Sequence, residues 1–143
     1  MKGDKIYYRD VSNYKYVLDK DYTLYVGIIG YKFDIYCMKL TLDGYLTMKA
    51  GFYWDGPSGP TWDTPNAMRG SLIHDAIYRA IRLGLLPFSC KELADLILEA
   101  ICEEDGMSEF RAEYWHKGVE DWGRFSCIPT GKPDPEEIIH TAP

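Results

Sequence analysis

The sequence predicts an α+β protein: an antiparallel sheet first, then helices. Three observations lead there. Ten of the twelve tyrosines fall within residues 1 to 53, among strand-like runs. A turn-rich stretch follows at 54 to 66. Beyond it the apolar positions recur at helical rather than alternating spacing. At 143 residues the chain is long enough to bury one core.

The strand-like runs are KIYY, TLYVGIIGY, FDIYCMKLTL and YLTMKAGF. Tyr, Ile, Val, Thr and Phe suit a pleated, half-buried surface. Asp43-Gly44 between LTL and YLT marks a hairpin, read as a type I′ turn in which both central residues take positive φ. An antiparallel meander of about four strands is expected over 1–53. Residues 54–66, WDGPSGPTWDTPN, hold three prolines and two glycines in thirteen positions, which excludes regular structure. A loop of that length in a compact domain is often functional.

Residues 67–83 place Leu72, Ile73, Ala76, Ile77, Ala80 and Ile81 on a helical stripe, ended by Leu-Gly-Leu-Leu-Pro. Ser89 with Glu92 reads as a capping box opening a second helix to about Glu104, with Leu93, Leu96, Ile97, Ala100 and Ile101 as its apolar stripe. Asp105-Gly106 ends it. Ser108 can cap a third helix carrying Phe110, Tyr114, Trp115 and Trp122. Residues 1–128 thus read as a single domain with its helical part at 67–126. The Pro- and acid-rich residues 129–143 read as an extended or mobile tail.

A net charge of −6 argues against a nucleic-acid surface, which needs clustered Lys and Arg. The start, MKGDKIYYRD, has no apolar h-region and no run is long enough to span a membrane, so neither export nor a membrane span is expected. Cys37, Cys90, Cys102 and Cys127 show no CxxC pair; reduced thiols are expected.

One stretch resists a purely structural reading. LIHDAIYRAI, 72 to 81, is apolar almost throughout yet contains His74, Asp75 and Tyr78. On a helix His74 and Tyr78 share a face, while Asp75 points about 100° away. A short break separates the first two helices, so they should run antiparallel and bring Asp95 beside the first. A carboxylate there can fix the imidazole tautomer and leave the other nitrogen to take a proton, with Tyr78 donating to the same carboxylate. Asp75, turned toward the loop, can join backbone carbonyls around a hard cation such as calcium, which prefers oxygen ligands. A satisfied core pair of His74 and Asp95 is the structural alternative. His116 and His140 show no partner in the sequence and are read as solvated.

At these residues the chain resembles two families. One is the histidine-aspartate phospholipase A2 group, most nearly the disulfide-free domain of parvovirus minor capsid proteins. WDGPS (54–58) stands for its calcium loop, HDAIY (74–78) for its HD-x-x-Y helix and LAD (93–95) for its Ala-Asp. That resemblance covers 54–95. The other is a phage-encoded family of unknown function, whose pattern AGF-x-x-D-x-x-S-x-P, then HD-x-x-Y and AD, matches AGFYWDGPSGP (50–60) and the residues after it.

The first resemblance implies His74 as general base, Asp95 as its orienting carboxylate and Tyr78 as support for Asp95. It implies Asp75 with the carbonyls of Trp54, Gly56 and Ser58 as calcium ligands, and a phospholipid or membrane surface as substrate. Asp55, inside the loop, is a further metal candidate or a helix cap. Two departures stand out: Ser58 replaces the loop's second glycine, and Ile73 replaces the cysteine that precedes the HD pair in secreted enzymes. The second resemblance implies a phage protein and admits a non-catalytic virion, tail or accessory role with virion proteins as partners.

Overall fold

The computed structural model describes residues 5–12, 15–54 and 65–122. Within them the chain is α+β, with seven antiparallel strands followed by three helices. The strands are β1 (Tyr8–Ser12), β2 (Lys15–Leu18), β3 (Tyr22–Tyr25), β4 (Phe33–Asp34), β5 (Met38–Leu40), β6 (Tyr45–Met48) and β7 (Tyr53–Trp54). The helices are α1 (Pro65–Arg82), α2 (Cys90–Glu104) and α3 (Glu109–Trp122).

Two sheets replace a single run of about four strands: β1-β2-β7 and β3-β6-β5-β4. Only β4-β5-β6 is a meander. β3 pairs with β6 and β7 returns to β2, pairings that no local turn dictates. Gly51 makes the return possible. Its φ of 94° lies in the left-handed region that glycine enters without a Cβ clash, and its N–H donates to the Leu18 carbonyl. The Asp43-Gly44 hairpin forms, but with a longer loop than the sequence suggested. Gly44 N–H donates to the Thr41 carbonyl and Thr41 N–H to the Tyr45 carbonyl, so three residues are enclosed and Gly44 takes a φ of 98°.

Alternation is clean where a sheet covers the core. Tyr22, Leu24, Met38, Leu40, Leu46 and Met48 are buried, while Thr23 and Thr47 meet on the outer face at 2.7 Å. The tyrosine-rich start also serves packing: the Tyr8 and Tyr16 rings lie 5.7 and 5.6 Å from Trp54, a geometry favourable to aromatic pairs.

Pro65 stands at the first position of α1, where its missing N–H costs nothing, so the helix starts two residues earlier than its apolar periodicity indicates. Leu72, Ile73, Ala76, Ile77, Ala80 and Ile81 are all buried as expected. Both α1 and α2 end in a Schellman arrangement. Gly84 (φ 77°) bonds to Ile81 and Leu85 to Ala80; Gly106 (φ 102°) bonds to Glu103 and Met107 to Cys102.

The start of α2 differs from the capping-box expectation. Ser89 is already helical (φ −60°, ψ −17°) and its side chain makes no cap bond. The chain enters instead through a tight turn, with Cys90 N–H on the Pro87 carbonyl and Lys91 N–H on that of Phe88. The buried face of α2 is also rotated from the expected stripe: Leu96 is exposed, and Cys90, Lys91, Ala94, Asp95, Leu98 and Cys102 are buried with Ile97 and Ile101. Ser108 does cap α3, accepting from Arg111 N–H at 3.3 Å.

α1 and α2 pack antiparallel and very closely. A Cβ on Gly70 would stand 2.8 Å from Cys102 Sγ and 3.3 Å from the Leu98 carbonyl, so only glycine fits. At that end Arg69 is clamped by a bidentate pair with Asp105 (both 3.0 Å), by Glu104 at 2.7 Å and by the Tyr22 hydroxyl at 3.1 Å. Burial disfavours its charge, but these acceptors outweigh it and raise its pKa. No helix among the described residues is long and apolar enough to cross a membrane.

Candidate functional site

α1 and α2 meet again, toward the other end of their contact, around one carboxylate. Asp95 is 1% exposed. Its Oδ1 lies 2.8 Å from His74 Nε2 and accepts from the Tyr78 hydroxyl at 2.6 Å. Its Oδ2 accepts from Lys91 Nζ at 2.7 Å. His74 and Tyr78 come from one face of α1, four residues apart, with ring centroids 3.9 Å apart. Lys91 and Asp95 are likewise four apart on α2. Lys91 Nζ also donates to the Glu120 carbonyl near the end of α3, at 3.2 Å, so all three helices converge on the group.

The chemistry of Asp95 follows from what surrounds it. Burial, the largest influence, pushes its pKa up; hydrogen bonds from His74, Lys91 and Tyr78 together outweigh burial and hold it below the ordinary 3.8. An ionised carboxylate only accepts hydrogen bonds. His74 Nε2 therefore carries the ring proton toward Asp95, which leaves the lone pair of a neutral ring on Nδ1. Nδ1 has no hydrogen-bond partner among the described residues, and the His74 side chain is 11% exposed.

Asp75 points elsewhere, as helical spacing requires. Its Oδ2 lies 3.5 Å from Arg79 Nη2, and the side chain is 35% exposed. Arg79 is itself buried, donating to the Tyr53 carbonyl at 2.7 Å and stacking on Phe52 at 4.4 Å. Asp75 thus shares Arg79 with the Tyr53 carbonyl of β7. Trp54 is buried on that strand, and its indole N–H donates to Ser71 Oγ at 3.1 Å, which ties the strand to α1 one turn before His74. Asp55, Gly56 and Ser58 lie outside the described residues, and so does most of the expected calcium loop. A half-exposed carboxylate suits an oxygen-preferring cation, yet one carboxylate is not a shell. Among the described residues no group of three or more His, Cys, Asp or Glu side chains gathers around a point.

Several partners were not visible in the sequence. Lys91 was missed, although its spacing of four from Asp95 was a signal. His116 is not merely solvated: its Nδ1 lies 2.6 Å from Glu99 on α2 and its Nε2 3.5 Å from Glu120. The Glu99 contact joins two helices, so spacing along one chain segment does not reveal it, whereas the Glu120 contact is a four-residue step within α3. His140 lies outside the described residues. Phe110 and Tyr114 are 82% and 55% exposed rather than packed; the Trp115 and Trp122 side chains and Phe125 lie outside the described residues. Cys37, Cys90 and Cys102 are buried, and no disulfide joins the described residues.

Comparison of the chain with protein-family models, with curated proteins and with solved structures found no match.

Proposed function

We propose that the chain is a hydrolase of ester bonds in lipids, of the phospholipase A2 type, with His74 as general base. The observation that carries this reading is the geometry at the imidazole: Nε2 lies 2.8 Å from the buried Asp95 carboxylate, and Nδ1 is left without a partner among the described residues. In the proposed reaction Nδ1 takes a proton from water as the water oxygen attacks the ester carbonyl carbon. The imidazolium so formed lies against Asp95, which stabilises its charge. The ester C–O bond then breaks, and the Nδ1 proton passes to the leaving alkoxide, returning His74 to its starting form. Tyr78 and Lys91 keep Asp95 in place and do not touch the reacting atoms. If calcium is used, Asp75 and the carbonyls of Trp54, Gly56 and Ser58 are the residues that would hold it, and its chemistry would be to polarise the ester carbonyl.

A second reading is favoured by burial. His74 is 9% exposed and Lys91 8%, and a hydrogen-bonded polar group between helices also serves to fix their register. On that reading the protein is a non-catalytic phage virion or accessory component, its phage origin inferred from the AGFYWDGPSGP and HDAIY stretches.

Release of fatty acid from fluorogenic phospholipid vesicles, with calcium and with a chelator, separates the two. The hydrolase reading expects turnover by the wild type and its loss, by about 10²-fold or more, in His74→Ala with the fold retained. Absence of wild-type turnover in both conditions, with His74→Ala unfolding the protein, would leave only the scaffold reading.

A further inference from the structure

We propose that Lys91 is a positioning residue that sets the tautomer of His74, and that it links this setting to the docking of α3. The inference rests on the hydrolase reading for its catalytic consequence, but not for the tautomer itself.

Asp95 is buried among α1 and α2, where a carboxylate with too few donors reverts to the neutral acid. Its two oxygens are served differently. Oδ1 receives both α1 donors, His74 and Tyr78, whereas Oδ2 accepts from Lys91 at 2.7 Å. Lys91 is the positively charged partner of that pair, and it is anchored on the far side by the Glu120 carbonyl of α3.

Remove the ammonium and Asp95 keeps two hydrogen bonds on one oxygen while burial continues to favour its neutral form. A neutral Asp95 carries a proton that it can donate to His74 Nε2. The imidazole then shifts its own proton to Nδ1, and the lone pair that the proposed reaction uses is gone. No charge or atom is left over: the carboxylic proton comes from solvent, and the ring exchanges one N–H for the other. Because Lys91 also holds the end of α3, separation of α3 from α2 weakens the same hold on Oδ2. The reactive form of His74 thereby depends on α3, which reaches the group through the Glu120 carbonyl.

The test reads the His74 ring by ¹⁵N NMR of the full chain, with the His74 signals assigned by their loss in His74→Gln. In the wild type at neutral pH the neutral ring is expected as the Nε2–H tautomer. In Lys91→Met the Nδ1–H tautomer is expected to become the major form, and in Lys91→Arg the wild-type tautomer is expected to return. Phospholipid turnover, measured alongside, should fall in kcat by about a hundredfold in Lys91→Met with little change in KM, and recover in part in Lys91→Arg.

An Nδ1–H ring in the wild type overturns the proposal, whether or not any variant folds. So does a Lys91→Met protein that is folded and keeps the Nε2–H ring, because Lys91 is then only structural. If the wild type shows no turnover, the hydrolase reading fails while the ring signals still decide the role of Lys91.

Discussion

Replacing Asp95 by Asn tests the physical core of the site without assuming any activity. The change is nearly isosteric, so packing is preserved, but an amide has one accepting oxygen where the carboxylate has two. In the native protein three donors converge: His74 at 2.8 Å, Tyr78 at 2.6 Å and Lys91 at 2.7 Å. If the Asn oxygen stays with His74 and Tyr78, its NH₂ group faces the Lys91 ammonium, donor against donor. If the amide is turned, the NH₂ faces His74 and Tyr78, which must both change their own hydrogens to accept it. Either way a buried cation loses its counterion, a change that costs roughly 3–5 kcal/mol when one partner is removed. Lys91 keeps the Glu120 carbonyl at 3.2 Å, which places the expectation near the lower end, about 3 kcal/mol. Against a whole-domain stability of about 5–15 kcal/mol that is a large fraction. Urea unfolding followed by far-UV circular dichroism measures it as a fall in midpoint at constant slope. Adding Lys91→Met to Asp95→Asn should recover stability, because the abandoned charge is then gone. A loss below about 1 kcal/mol for Asp95→Asn, or a double variant no better than the sum of the single ones, would refute the reasoning.

The remaining expectations concern pH, packing and reactivity. The folded pKa of Asp95 lies below its ordinary 3.8, so the unfolded chain binds more protons in the window beneath that value. Stability from Asp95 is therefore fully present above pH 3.8 and lost as pH falls through the folded pKa. Acid unfolding should steepen there in the wild type, and Asp95→Asn should remove part of the slope. Gly70→Ala places a methyl 2.8 Å from Cys102 Sγ and 3.3 Å from a backbone carbonyl. Overpacking of about 1–3 kcal/mol should exceed the ~1 kcal/mol of helix propensity gained, so the melting temperature falls and Cys102→Ala restores part of it. Arg69→Lys keeps the charge but loses the bidentate hold on Asp105 and should destabilise by about 2 kcal/mol in the same urea assay; an unchanged midpoint would show the clamp to be unimportant. Burial pushes the Cys102 thiol up to about 12, with Asp105 adding to the shift. Cys102 should resist alkylation at pH 8 until the protein unfolds, as mass spectrometry can show; prompt native-state labelling would contradict its burial.

Much of the architecture was legible in one dimension because local physics sets it. Helical spacing of Leu72, Ile73, Ala76, Ile77, Ala80 and Ile81 reports a buried stripe, and all six are buried. Asp105-Gly106 and Leu-Gly-Leu-Leu-Pro mark helix ends because glycine alone reaches the left-handed φ that closes them. The four-residue step between His74 and Tyr78 was equally local. Other features were not local. The join of β7 to β2 depends on Gly51 turning the chain between two sheets. Ser89 adopted a helical conformation because Pro87 and Phe88 already begin the turn.

By itself, then, the order of residues determined an antiparallel sheet region followed by helices, and which side chains share a helix face, since both follow from periods of two and 3.6 residues. Only the tertiary structure decided which face of α2 is buried, and with it the placement of Lys91 on Asp95 and of His116 on Glu99. The physical reason is that the buried face of a mixed apolar and charged helix is chosen by what its neighbours can satisfy. Here α1 presents an imidazole and a phenol that a carboxylate can hold, and α2 turns the face carrying that carboxylate inward.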